Sequence, residues 1–249
     1  MANPTLREGV FNSKDFGVDS LNLERPMSAS GTLLKTLFLT LFMSLTFAYT
    51  WALQIAGFSD KVNILSTVGV LGGFILVMVI CFAPKNKFLS LTTPVYALLE
   101  GLFLGGVSAA VNMMYPGIVF QAVLGTLLAI VGMYVCYSTK LLRATDTFRK
   151  VIFISTFAIA GLYILQLVLS FFRISIPLLF TSSPVGILFS IVVVIVAALN
   201  LVLDFDFIDR ASGNAPKYME WYGAFSLMVT IVWLYIEMLR LLSKIYSRR

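Results

Sequence analysis

Five acidic residues stand where the surrounding chain is otherwise apolar, and they are the side chains whose placement invites chemistry. Glu100 falls in PVYALLEGLFLGG, Asp204, Asp206 and Asp209 in ALNLVLDFDFIDR, and Glu237 in WLYIEMLRLL. An ionisable group in hydrocarbon is costly and is kept only where it faces a partner, an ion or water. Two carboxylates held close in a low dielectric do not both ionise easily, so such a pair can share a proton and respond to pH. Fully ionised, the same pair repels itself or takes up a hard cation such as calcium, which prefers oxygen ligands. That chemistry is a pH-gated cation site built from two residues, one acid of the 204–209 stretch and Glu237.

Each acid also has a plainer reading. On a helix Asn200 and Asp204 are four apart and share a face, while Asp206 points nearly opposite to Asp204. The spacing predicts Asn200 and Asp204 facing a bundle interior, with Asp206 and Asp209 at the membrane interface and Asp206 paired with Arg210. Alternatively, all three aspartates are wet at a helix end. Glu237 has Arg240 three residues on, so a local ion pair is its simpler reading. Glu100 has no basic residue within one helical turn, and its plainer reading is a neutral acid hydrogen-bonded to a neighbouring helix.

The chain lacks the parts for other chemistries. It contains no His and two Cys, Cys81 and Cys136, both inside apolar runs. A Ser–His hydrolase and an ordinary zinc or haem centre are therefore not expected, and no cofactor is. An intramembrane aspartyl dyad remains conceivable, but nothing near the acids supplies a recognisable substrate site, so an enzyme is not expected. Net charge is +6, yet no basic cluster is interleaved with stacking aromatics, which argues against a nucleic-acid partner.

The elements that must carry these acids follow from composition. Hydrophobic residues make up 59% of 249 and charged residues 12%, too few charges to cover a soluble surface. The apolar runs are long enough to cross a bilayer, and only helices satisfy the backbone there in an open chain. Seven spans are expected, at about 33–57, 62–83, 91–113, 117–139, 151–172, 185–208 and 219–243. The prolines Pro84, Pro94, Pro116, Pro177, Pro184 and Pro216 fall near span ends, where a missing donor does least harm. Gly101 and Gly105, four apart, mark a face for close helix contact. The fold class is an all-α membrane protein, a seven-transmembrane-helix bundle occupying residues 31–249. Residues 1–30 read as a polar, flexible tail.

Lys and Arg collect on one side: Arg7, Lys14, Arg25, Lys85, Lys87, Lys140, Arg143, Arg149, Lys150, Arg210 and Lys217. The positive-inside rule then makes the N-terminus cytoplasmic. Seven crossings put the C-terminus outside, against the trend of Arg240, Lys244, Arg248 and Arg249; a re-entrant segment is the alternative.

Four stretches of this sequence resemble the Bax inhibitor-1 family, in its bacterial branch. They are PVYALLEGLFLGGVSA with the following YPGIVFQAVLGT, then AALNLVLDFDFID, and APKYMEWYGAFSLMVTIVWLYIEMLRLL. With the span pattern they cover most of residues 30–245. The resemblance implies a bundle wrapped around a central last helix, in a bacterial inner membrane. It implies a pH-dependent calcium leak controlled by acids at Asp204 and Glu237, with calcium as the transported ion rather than a cofactor. It also implies a basic partner after the second span, where this chain offers Lys85 and Lys87, and Asp where this chain has Glu237. The family equally admits a second function: a non-transporting modulator that binds another membrane protein, such as a membrane-anchored quality-control protease. Counting adds a tension. Glu237 lies fifteen residues past Tyr222, roughly 22 Å along a helix, while Asp204 lies near the cytoplasmic end of span six.

Overall fold

In a computed structural model of the chain, residues 26–82, 88–174, 176 and 181–248 are described. They form seven helices: α1 (Ala29–Ile55), α2 (Ser59–Phe82), α3 (Leu89–Met114), α4 (Ile118–Ser138), α5 (Asp146–Phe171), α6 (Pro184–Ala211) and α7 (Met219–Tyr246). All seven are long and apolar enough to cross a membrane. The described residues contain no strand, only an isolated bridge between Pro26 and Pro216. Side chains such as Leu34, Phe74, Phe120, Leu128 and Ile154 stand out from the helices, as apolar groups do when hydrocarbon is the solvent.

Two helices, α1 and α5, start four or five residues earlier than hydropathy alone suggests, because polar caps extend them. Ser28 accepts a hydrogen bond from the Gly31 backbone, so α1 begins at Ala29 rather than 33. Thr145 does the same for Phe148, so α5 takes in Arg149 and Lys150 ahead of its apolar run. Side-chain oxygens at the N-cap satisfy donors that the first turn leaves open. Pro94 lies inside α3, past its first turn; Leu89 rather than residue 91 starts that helix. Pro184 opens α6 and Pro116 and Pro216 lie between helices. Pro84 and Pro177 lie outside the described residues.

The chain divides into two compact units. The first holds, among described residues, 26–114 and 207–228: α1, α2, α3, the end of α6 and the beginning of α7. Here α3 packs on both α1 and α2. Glycine makes the contact possible at Gly101 and Gly105. A Cβ on Gly105 would stand 2.6 Å from the Phe47 carbonyl oxygen, and one on Gly101 would overlap Met43 and Thr46. Thr46 Oγ1 fills the space so created and donates to the Leu98 carbonyl at 2.9 Å. The residues just before α1 are tied down as well. Met27 N donates to Ala215 O at 2.7 Å and Gly213 N donates back to Met27 O at 2.9 Å. Of the expected 1–30 tail, only 26–30 lie within the described residues.

The second unit holds 115–206 and 229–248: α4, α5, most of α6 and the rest of α7. Ile159, Val193 and Val196 form a buried cluster with Tyr163, Phe189 and Trp233 packed against it. Ile152 and Leu203 form another, edged by Phe148, Phe153 and Leu199. Tyr134 of α4 meets Phe205 of α6 edge-on, with centroids 5.5 Å apart. The last helix serves both units and is the most enclosed, with 56% of its most apolar stretch buried against 11% for α5.

Candidate functional site

Helical spacing puts the side chains of Glu237 and Arg240 on one face of α7. Glu237 is 1% exposed. Arg240 Nη1 donates to Glu237 Oε1 at 3.0 Å and to Oε2 at 3.2 Å. Tyr163, from α5, donates its hydroxyl proton to Oε1 at 2.8 Å. Arg240 also donates to the Tyr163 hydroxyl oxygen, and its guanidinium carbon lies 4.8 Å from the centre of that ring. The three groups close a triangle. The charge on the buried carboxylate is met by a cation, and the hydroxyl orients both. Arg240 itself is 36% exposed at its side chain, so the triad reaches from a buried acid outward.

On α6, Asp204 is fully buried and Asn200, one turn before it, is 1% exposed. The Asn200 amide donates to Thr156 Oγ1 of α5 at 3.0 Å and to the Val196 carbonyl at 2.8 Å. This bond directs the Asn200 face of α6 toward α5. Asp204 shares that face by its four-residue spacing. The alternative of a wet Asp204 at a helix end is at odds with its burial, and α6 continues past it to Ala211. Asp209 is exposed, in keeping with an interfacial position. Asp206 is partly buried and accepts from Arg149 Nη2 of α5 at 3.0 Å. Its pairing with a residue 57 positions earlier was not legible from the local Asp206–Arg210 spacing. Arg210 places its guanidinium 4.9 Å from the Phe207 ring centre.

Asp204 and Glu237 thus belong to one unit, on α6 and α7, and the hydrogen bonds of the Glu237 carboxylate go to Arg240 and Tyr163. Glu100 belongs to the other unit, half-buried on α3. Lys85 and Lys87 lie outside the described residues. Among the described residues no three of Cys, Asp and Glu gather as a metal-binding group. Cys81 and Cys136 are unbridged and half-buried.

Three partners escaped the sequence reading: Tyr163, Thr156 and Arg149, all on α5. A further buried acid did too. Glu220, 2% exposed at the start of α7, pairs with Lys35 and accepts from both the backbone and hydroxyl of Ser28 at 3.0 Å. Its position in the first turn of a helix, where acids are favoured, was the available signal. Its partners, some 190 residues away, left none.

Seven helices long and apolar enough to cross a membrane, some of them carrying buried, partnered acids, define a polytopic membrane protein. The chain matches the family described as Bax inhibitor 1 like over residues 3–247, and it belongs to that family. No curated protein and no solved structure matches it.

Proposed function

We propose that the protein is a pH-sensitive leak path for cations, calcium foremost, controlled by Asp204 and Glu237. One observation carries this reading: two carboxylates lie buried in apolar helices of the same unit, and one is clasped by a cation and a hydroxyl. Burial of this kind is expensive unless it serves a path or a latch. While Arg240 and Tyr163 hold Glu237, its oxygens are engaged. Release of Glu237 frees two hard oxygen ligands for a passing cation. On this reading, protonation of Glu237 removes the charge that Arg240 pairs with and loosens the clasp.

The location that goes with this reading is a bacterial inner membrane crossed seven times, with the N-terminus in the cytoplasm. The chain segments that carry Lys140, Arg143, Arg149, Lys150 and Lys217 are then internal by the positive-inside rule. No catalytic step belongs to the reading.

Calcium flux into vesicles of purified protein is the test, run from mild acid to neutral pH with the parent, Asp204→Asn and Glu237→Gln. The expected result is a flux in the parent whose pH dependence both variants lose. A flux with the parent's pH response in both variants ends the proposal. No flux in any of them favours the modulator that binds another membrane protein.

A further inference from the structure

Three acids among the described residues come with cations. Glu237 has Arg240, Asp206 has Arg149 and Glu220 has Lys35. Glu100 departs from that pattern. Among the described residues it takes part in no ion pair, and its hydrogen-bond partner is the hydroxyl of Tyr96, one turn earlier on the same helix. Tyr96 is itself buried and packs edge-on against Phe225, with centroids 5.0 Å apart. The Glu100 carboxyl rests over the bare backbone of Gly73 on α2, where a Cβ would stand 3.3 Å from Oε2. Glycine leaves a notch there that any larger residue would fill. Glu100 is only half-buried, so the notch is not sealed.

Depth matters as much as contacts. Glu100 is eleven residues from the start of α3 and fourteen from its end, roughly 16 and 21 Å of helix. That is the middle of a span. The titratable groups on the elements packed around α3 lie elsewhere or are engaged. On α1 they are Lys35, which is paired with Glu220, and Tyr49. On α2 they are Asp60 and Lys61 in the first turn, some twelve or thirteen residues before Gly73, and Cys81 eight residues after it. On the first part of α7 they are Glu220 and Tyr222. None supplies a cation at the notch. A carboxyl in apolar surroundings without a cation favours its neutral form.

We infer that Glu100, with Tyr96 and the Gly73 notch, is a proton-bearing intramembrane carboxyl open to apolar reagents, a binding site for a proton that is separate from Asp204 and Glu237. Its ligand is the proton, and its chemical signature is reaction with a hydrophobic carbodiimide. In that reaction the carboxyl O–H adds across a C=N bond: oxygen bonds to the carbon, the proton passes to nitrogen, and no group leaves. Carboxylates held by Arg240 or Lys35 lack that proton and should not react.

The test treats the full chain in lipid vesicles at neutral pH with dicyclohexylcarbodiimide and maps the adduct by peptide mass spectrometry. The expected result is an adduct at Glu100, with Glu220 and Glu237 unmodified. A parallel infrared spectrum should show a protonated carboxyl band that Glu100→Gln loses and Tyr96→Phe shifts. An adduct absent from Glu100 overturns the inference. So does a carboxyl band that persists unchanged in Glu100→Gln. The labelling uses the unmodified protein, so it decides the matter even where a variant fails to fold.

Discussion

Arg240 reaches both oxygens of Glu237 from a single guanidinium nitrogen, at 3.0 and 3.2 Å, one turn apart on the last helix. The contact is not the two-nitrogen fork in which Arg binds carboxylate most tightly. Tyr163 completes it by donating to the nearer oxygen.

Removing the cation should therefore destabilise the fold more than removing the whole pair. Arg240→Met leaves Glu237 buried without its cation, and the expected loss is about 1–3 kcal/mol, below that of a fully buried pair because Arg240 is partly exposed. The double variant Glu237→Gln with Arg240→Met should recover part of that loss. Thermal unfolding of the purified protein in detergent, parent against the two variants, checks the order.

Tyr163→Phe keeps the ring that Arg240 lies against and deletes only the hydroxyl. Glu237 then keeps its ion pair but loses one of its donors. The expected outcome for transport is a flux whose pH response is displaced relative to the parent and not abolished. Glu237→Gln, which cannot ionise, should give a flux fixed at one level across the same range. Vesicle flux at a series of pH values separates the two, and an unaltered profile in Tyr163→Phe would remove the hydroxyl from the mechanism.

The amide of Asn200 and the hydroxyl of Thr156 join α6 to α5 at 3.0 Å. Each single variant, Asn200→Leu or Thr156→Val, should cost about 0.5–1.5 kcal/mol, and the double variant less than the sum. A double-mutant cycle on unfolding free energy measures the coupling. Strict additivity would mean that the bond contributes nothing.

Gly101 accepts α1 so closely that its own Cβ would overlap Met43 and Thr46. Gly101→Val should force α1 and α3 apart and lower stability by about 1–3 kcal/mol. Gly132→Val, where a Cβ meets nothing within 4 Å, is the matched control and should leave the melting temperature nearly unchanged. Equal effects at the two positions would show that close approach is not what Gly101 provides.

Much of this molecule was legible in its sequence because hydrocarbon is an unforgiving solvent. Seven runs of apolar residues had to become seven helices, since an open chain has no other way to satisfy its backbone there. The same cost marked Asp204, Glu237 and Glu100 as exceptional before any coordinates existed, and the four-residue spacing of Gly101 and Gly105 marked a packing face. Helix ends were less clear. Ser28 and Thr145 cap outside the apolar runs, and hydropathy does not register a hydrogen bond to a first-turn amide.

What the sequence could not supply was the partner of each acid. Arg240 was visible for Glu237 because i and i+3 meet on any helix. Tyr163, Thr156 and Arg149 were not, because they come from α5, and Lys35 reaches Glu220 across 185 positions. Periodicity says which face of a helix a residue occupies. Only packing decides which other helix that face meets, and so whether a costly acid finds a cation, as Glu237 does, or only a hydroxyl, as Glu100 does.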